Sequence, residues 1–582
     1  MKLKLKEIKK TIKQNIEQIH YGYTEAAPWL KFYDELNYPK TLSYPECTIY
    51  ELFERSVNEY PNEEAYEYFG KKVTYADFNE KIKRCAKSLQ KIGVTGQDTV
   101  TILMPNTPEA IIMFYACNYL GAVANMVHPL SSQGEIEFCL NKAKSNFILA
   151  MDALYDNLYA IKDNVSLKKI ILVSVAESMS TVTSALFWLT KGRKIKIESP
   201  KTDNVIGWKD FIYAGRDVEV KRSRKDEHQL AVILYSGGTT GMPKGIMHSS
   251  RNFNVTAFQN KAICSEIGPG SSILAIMPIF HGFGLGVCFH TVLAAGAKCY
   301  IIPKFTPEEF GKLIRTYKPN FIVGVPTLFE ALTHTELKED GLSFVTNVIS
   351  GGDMLTPELQ KRVNTYLEEH GSKTEIRVGY GMTECVAATT ATPVGNFIPG
   401  SIGIPAPDNY IKIVKPGTTE NVYYDEDGEI CYHGPTAMLG YLDEPEETAN
   451  TMQKHADGKI WIHTGDMGCM NKDGMIFFKS RIKRMIISSG YNVYPMHIEN
   501  VINGHPQVMT SIVVGVPHPY KGEVAKAYVV LRPDTKDQEK VDQEIKELCK
   551  KNLSKYMLPQ SIEYRETLPV TKVGKTDYRN VK

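Results

Sequence analysis

Short apolar runs alternate with amphipathic stretches along most of the chain. From Thr48 the pattern predicts a helix over 49–60, a hairpin made of Ala65-Tyr66-Glu67-Tyr68-Phe69 and Lys72-Val73-Thr74-Tyr75, and a helix running through Leu89. Strands are predicted at 98–104, 150–151, 170–173, 230–234 and 272–277, each a short, mostly apolar run of the kind that a buried strand shows. Such alternation is α/β organisation, in which ligand sites gather at the carboxyl ends of strands. After the cationic segment Arg481-Ile482-Lys483-Arg484 the alternation restarts on a smaller scale, with strands at 511–516 and 525–531 and a helix over 538–553. The organisation expected is an N-terminal extension over 1–30, a large α/β domain over 31–480, a joint at 481–484 and a small α+β domain over 485–582.

Two stretches depart from this rhythm. Leu5, Ile8, Ile12, Ile16 and Ile19 recur at helical spacing, with six lysines among the first thirteen residues. A basic amphipathic helix of this kind suits an anionic membrane surface or docking on protein. Residues 179–196 place Phe187-Trp188 beside Lys191-Gly192-Arg193-Lys194, which suits a membrane interface, the mouth of an apolar pocket or a surface insertion. Both stay open, as does a homodimer. The uncharged stretches 110–134 and 271–297 are interrupted by Asn118, Gly121 and Pro129, and by Pro278 and His281, so no transmembrane helix is predicted.

Composition narrows the picture further. A chain of 582 residues exceeds one core, and a net charge of +2 makes no case for a nucleic-acid partner. The eleven cysteines are scattered without a C-x-x-C pair, which predicts reduced thiols in a cytoplasmic setting and neither a disulfide framework nor a zinc site.

The strongest chemical signal follows the apolar run 230–234. Tyr235-Ser236-Gly237-Gly238-Thr239-Thr240-Gly241-Met242-Pro243-Lys244-Gly245 brings four glycines, three aliphatic hydroxyls and a lysine together directly after a strand. Glycines let backbone N–H groups approach an anion, hydroxyls donate hydrogen bonds and the lysine adds charge, as a phosphate cradle needs. It is not the Walker loop: Gly245 follows Lys244, and Gly574-Lys575-Thr576 has Pro569 where the first glycine should stand. Further strand ends carry Pro278-Ile279-Phe280-His281-Gly282-Phe283-Gly284, where His281 suits the wall of a site for a largely apolar ligand. Ser350-Gly351-Gly352-Asp353 and Gly379-Tyr380-Gly381-Met382-Thr383-Glu384 leave room for a planar ring, with Tyr380 as a stacking face and Glu384 as a hard-cation ligand. His463-Thr464-Gly465-Asp466 adds an acidic contact, and Asp427-Gly428 reads as a hairpin turn.

Together these segments, from about Tyr50 to Lys575, resemble the adenylate-forming superfamily of acyl-CoA and aryl-CoA synthetases, peptide-synthetase adenylation domains and luciferases. The glycine pair of the loop, the insertion near Phe187-Trp188 and Gly379 to Cys385 make it most similar to bacterial fatty acid–CoA ligases. The resemblance implies a large multi-sheet α/β domain with a small mobile α+β C-terminal domain. It also implies two steps: a carboxylate attacks the α-phosphorus of ATP, releasing pyrophosphate, and CoA then displaces AMP. By position it assigns Ser236, Gly237, Gly238, Thr239, Thr240 and Lys244 to the outer phosphates, and Thr239 and Glu384 to Mg²⁺. It assigns Thr383 to the α-phosphate, Gly351, Gly352, Gly379 and Tyr380 to adenine, and Asp466 and Arg481 to the ribose. Lys575 would bridge carboxylate and α-phosphate, Lys483 would be the hinge, and Gly490 and Tyr491 would face CoA. No acid follows His281 to pair with a substrate amine, which favours an uncharged tail, aliphatic or aryl, and of these a medium- to long-chain fatty acid is the substrate expected. An aryl acid, transfer to a carrier protein and a non-catalytic nucleotide-binding module remain as alternatives.

Overall fold

The computed structural model describes residues 27–179, 204–222, 226–236, 242–395, 398–489, 491–570, 577–578 and 580–581. The amphipathic stretch over 1–20, nearly all of the 179–196 insertion, Gly237 to Gly241, Gly490 and Lys575 lie outside the described residues.

Helix Ile49–Glu59 starts at a capping box in which Thr48 accepts from the Glu51 N–H and Glu51 accepts from the Thr48 N–H. The hairpin pairs Glu64–Tyr68 with Lys71–Thr74, and helix Tyr75–Lys91 follows, as the pattern predicts. An eight-stranded sheet runs Gly440–Tyr441, Lys244–Ser249, Leu230–Ser236, Val123–Met126, Thr99–Leu103, Phe147–Met151, Lys169–Val173, Val205–Gly207. From Leu230–Ser236 to the far edge its strands are parallel. A fourteen-stranded sheet holds the parallel run Lys298–Ile301, Ser272–Ala275, Phe321–Gly324, Asn347–Gly351, Ile376–Gly381. It continues antiparallel through Ala388–Ala391, Ser401–Pro405, Ile476–Arg481, Ile460–Met470, Gly428–His433 and Tyr410–Val414.

The uncharged stretch from Ala110 is accounted for by helix Pro108–Leu120, almost wholly buried, then Gly121 at φ +75° and the strand Val123–Met126. Among the described residues no helix is long and apolar enough to cross a membrane. The glycine loop closes an antiparallel pair, in which Ser236 stands opposite Lys244 and the chain folds straight back as a strand. After His281, Phe283–Thr291 forms a nine-residue π-helix. One local expectation changes: Asp427-Gly428 is not a tight turn, since Gly428 already opens a strand whose partner ends at Val414.

Past Arg484 a five-stranded sheet with helices Pro495–Asn503 and Gln538–Asn552 has its own core, including Ile486, Ile498, Val513, Ala527 and Ile545. One ion pair reaching back from it joins Arg532 to Glu330, at 3.4 Å.

Glu109 is 2% exposed in the first turn of helix Pro108–Leu120, and its Oε1 accepts from Ser178 Oγ. Burial pushes its carboxyl up to about 7. The folded state therefore holds this proton more tightly than the unfolded chain, so stability falls as pH rises from the ordinary carboxylate range through about 7. Glu109→Gln should remove that slope and stabilise the protein at pH 8 by about 3 kcal/mol, read by denaturant unfolding at pH 5 and pH 8. An unchanged pH profile would show that Glu109 is solvated in the folded state.

Candidate active site

Gly351 and Gly379 sit opposite each other at the ends of two parallel strands. A Cβ on Gly351 would lie 3.1 Å from the Gly379 carbonyl oxygen and 3.3 Å from Phe283 Cζ, so glycine leaves a flat floor beside the aromatic that follows His281. Tyr380 comes next, half-buried, and its hydroxyl donates to Asp466 Oδ2 at 2.6 Å. Asp466 is fully buried and lies directly across the antiparallel pair from Arg481, whose Nε stands 2.9 Å from Oδ1. That ion pair is not aligned as a hydrogen bond, so Oδ1 is a buried acceptor with an open position for a donor hydroxyl. Burial, only partly offset by Arg481, raises the Asp466 carboxyl above its ordinary value, whereas Asp466 is the main cause that raises the Arg481 guanidinium. Burial also raises the Tyr380 phenol, with Asp466 adding to it, so Tyr380 stays protonated as the donor.

Thr383–Cys385 is a single 3₁₀ turn held from three sides. His248, fully buried, donates from Nε2 to the Thr383 carbonyl at 2.8 Å. The Met438 N–H donates to the Glu384 carbonyl, also at 2.8 Å. Burial drives the His248 imidazole down to about 4, so it is neutral and its Nε2 proton is the one the carbonyl requires. The turn ends at Val386, with φ +65° and ψ −63°, where Ala387 N–H bonds back to the Cys385 carbonyl at 2.8 Å. This is a γ-turn in a region costly for a β-branched residue, on the order of 1–3 kcal/mol. Neighbouring backbone holds it there: a Cβ on Gly282 would stand 1.6 Å from the Val386 carbonyl oxygen, and one on Gly381 1.6 Å from that of Ala387.

Glu384 Oε1 accepts from the Tyr441 hydroxyl at 2.8 Å. Lys244 forms an ion pair with Glu447, and its Nζ lies 5.0 Å above the Tyr441 ring. The lysine that closes the glycine loop and the candidate metal ligand are thus joined through one tyrosine.

Of the residues singled out from the sequence, Ser236, Lys244, His281, Gly351, Gly352, Tyr380, Thr383, Glu384 and Arg481 lie at or near strand ends and turns, whereas Gly379 and Asp466 lie inside strands Ile376–Gly381 and Ile460–Met470. Lys483 is exposed on the single turn Ile482–Arg484. Tyr491 stands apart, 57% exposed and stacked on Tyr556 with ring centres 4.7 Å apart. Gly237, Gly238, Thr239, Thr240, Gly490 and Lys575 lie outside the described residues.

Comparison with known proteins decides the family. Residues 53–442 match the model described as AMP-binding enzyme, and residues 497–575 match the AMP-binding enzyme C-terminal domain. The chain belongs to the AMP-binding enzyme family. It is 32% identical over 553 residues to the long-chain-fatty-acid–CoA ligase of Bacillus subtilis strain 168, covering 94% of this chain and 96% of that protein. To the long-chain-fatty-acid–CoA ligase of Escherichia coli O157:H7 it is 29% identical, covering 91% and 93%. Among solved structures, the anthranilate CoA ligase AuaEII in complex with anthranoyl-AMP superposes with a TM-score of 0.78 at 22% identity, covering 92% of this chain and 96% of that one. ATP-bound MatB from Rhodopseudomonas palustris gives 0.77 at 24%, covering 90% and 97%; both establish a shared fold.

In this AMP-binding enzyme several site residues escaped the sequence reading. His248, Tyr441, Glu447 and Val386 carry no motif of their own; they matter through contacts with residues 57 to 203 positions away. The backbone clash at Gly282 makes a direct test. Gly282→Ala should abolish activity or cost more than about 3 kcal/mol of stability, because carbonyl oxygen rather than a flexible side chain must yield. Wild-type unfolding and turnover in that variant would show that the Val386 turn does not bind His281 to Thr383-Glu384.

Proposed function

We propose that this protein is an AMP-forming fatty acid–CoA ligase, which activates a medium- to long-chain fatty acid with ATP and passes the acyl group to CoA. The observation that carries the reading is a match along nearly the whole length of long-chain-fatty-acid–CoA ligases, coupled to a buried acceptor, Asp466, beside an aromatic ring and glycine floor shaped for a nucleoside. In this reading Tyr380 stacks on adenine, Gly351, Gly352 and Gly379 admit it, and Asp466 with Arg481 takes the ribose hydroxyls. Ser236 to Lys244 holds the outer phosphates, Thr383 the α-phosphate, and Gly490 and Tyr491 line the path of CoA. His281 and Phe283 stand where the acyl group meets the nucleotide.

Both reactants are anions, so the residues must neutralise charge at the α-phosphorus and align the carboxylate with it. Lys575 is assigned that place. Oxygen donors such as Glu384 and Thr239 suit Mg²⁺, which when bound offsets phosphate charge. Lys244 takes its phosphate by leaving Glu447. Residues 31–480 form the large domain and 485–582 the small one, and rotation at Lys483 within 481–484 exchanges Lys575 for Gly490 between the two steps. None of the cysteines is needed as a nucleophile; all eleven are buried.

The test is a panel of carboxylic acids of graded chain length and of aryl acids, each with and without CoA, scored for pyrophosphate, AMP and thioester. Fatty acids should give AMP with CoA; pyrophosphate release without thioester would move the acceptor to a carrier protein, and no release with any acid would end the enzymatic reading. Lys575→Ala should lower acyl-adenylate formation by about a hundredfold or more while sparing thioester formation from supplied acyl-adenylate. A bulky residue at Gly490 should do the opposite. Equal loss of both steps in Lys575→Ala would remove the role assigned to it.

A further inference from the structure

Cys431 and His463 are direct partners across the antiparallel strands Gly428–His433 and Ile460–Met470, so their side chains leave the sheet on one face. Glu429, two residues before Cys431, shares that face. His455 arrives from the turn after the short strand Met452–Lys454, which pairs along residues 460–462. As a result His455 Nε2 and His463 Nε2 stand 3.0 Å apart, and one ligand atom from each of Cys431, His455 and His463 lies within 4.8 Å of the other two. The second nitrogen of His463, Nδ1, donates to Glu429 Oε2 at 2.8 Å, which leaves a lone pair on Nε2 facing into the cluster. His455 is 4% exposed and its Nδ1 has no hydrogen-bond partner.

We propose that Cys431, His455 and His463 form a site for one transition-metal cation of the zinc class, with Glu429 as the carboxylate behind His463. One thiolate and two imidazoles suit zinc and its neighbours, whereas magnesium and calcium require oxygen ligands. A carboxylate that receives the outer N–H of a ligating histidine is the usual support of such sites. Two nitrogens 3.0 Å apart can each lie about 2.1 Å from one ion at a narrow angle, and a small opening of the pair brings it to tetrahedral geometry.

The charges balance. Binding deprotonates Cys431, releasing one proton, and the thiolate with Glu429 then offsets the dication. Nearby, Lys412, paired directly across from Cys431, sets its Nζ 4.3 Å over the ring of Trp461, whose indole N–H donates to Asp457.

The site stands directly behind the nucleotide pocket. The other oxygen of Glu429, Oε1, accepts the Gly465 N–H at 3.0 Å, and Gly465, at φ +70°, precedes Asp466. A bound ion would brace the strand that aims Asp466.

The test uses the full chain, reduced, stripped with chelator and titrated with Co²⁺ alone. The expected result is a near-ultraviolet thiolate-to-cobalt absorption that saturates at one ion per chain, disappears when Zn²⁺ is added and is lost in Cys431→Ser. His455→Gln should weaken Co²⁺ binding at least about tenfold, as loss of one ligand does. Zn²⁺ should raise the melting temperature of the native chain and not that of Cys431→Ser. Absence of the thiolate band, or the same band in Cys431→Ser, overturns the proposal and leaves the two imidazoles as a hydrogen-bonded strut. If Cys431→Ser does not fold, His455→Gln carries the same decision, because a site elsewhere would leave its spectrum unchanged.

Discussion

The contact on which the rest of the site depends is backbone against backbone at Val386. Three segments meet there: the glycine-spaced stretch after His281, distant in the chain, the end of strand Ile376–Gly381, and the Thr383–Cys385 turn that directly follows that strand. Two of them approach so closely that only glycine fits, and the third adopts a conformation that valine avoids when unconstrained. Strain of this kind persists only where its surroundings over-determine it. The buried His248, the Met438 N–H and the facing glycines supply that constraint, and they place Thr383 and Glu384 without help from a ligand.

From this fixed turn two polar chains run outward. One passes through Tyr380 to Asp466 and Arg481, across the antiparallel half of the large sheet. The other passes through Tyr441 to Lys244 and the end of the glycine loop, on the neighbouring sheet. The two sheets are therefore registered to each other through the Thr383–Cys385 turn. A buried carboxylate such as Asp466 is tolerable because both a phenol and a guanidinium attend it; remove either and the desolvation it suffers is no longer met.

Much of this was legible in the sequence as residue types at strand ends. The alternation of apolar runs placed strands such as Thr99–Leu103, Lys169–Val173 and Leu230–Ser236 but not Val123–Met126, Lys298–Ile301 or Phe321–Gly324, and the glycine-rich junctions marked the candidate site because only special backbone needs such residues there. Contacts were not legible. That Tyr380 would donate to Asp466, 86 residues away, depends on which strands become neighbours, and a pattern read along the chain does not report sheet order. The π-helix after His281 was missed because helical period is hard to see through spaced glycines that pack on backbone. The grouping of Glu429, Cys431, His455 and His463 escaped for a related reason: spacing rules for metal ligands look for neighbours on a short loop, whereas here three strand segments bring them together.

Lys244 pairs with Glu447 in the structure. On the reading proposed above, in which the loop holds the outer phosphates, a cradle built this way would carry its own competitor. An arriving polyanion would have to displace a tethered carboxylate, so weakly charged anions would gain little from the loop. The same carboxylate would take the lysine back when the anion departs, which would make the end of the cycle an exchange of partners rather than the exposure of a bare charge. Glu447 would then set a threshold for entry and ease exit, two properties that the glycines and hydroxyls of the loop cannot supply.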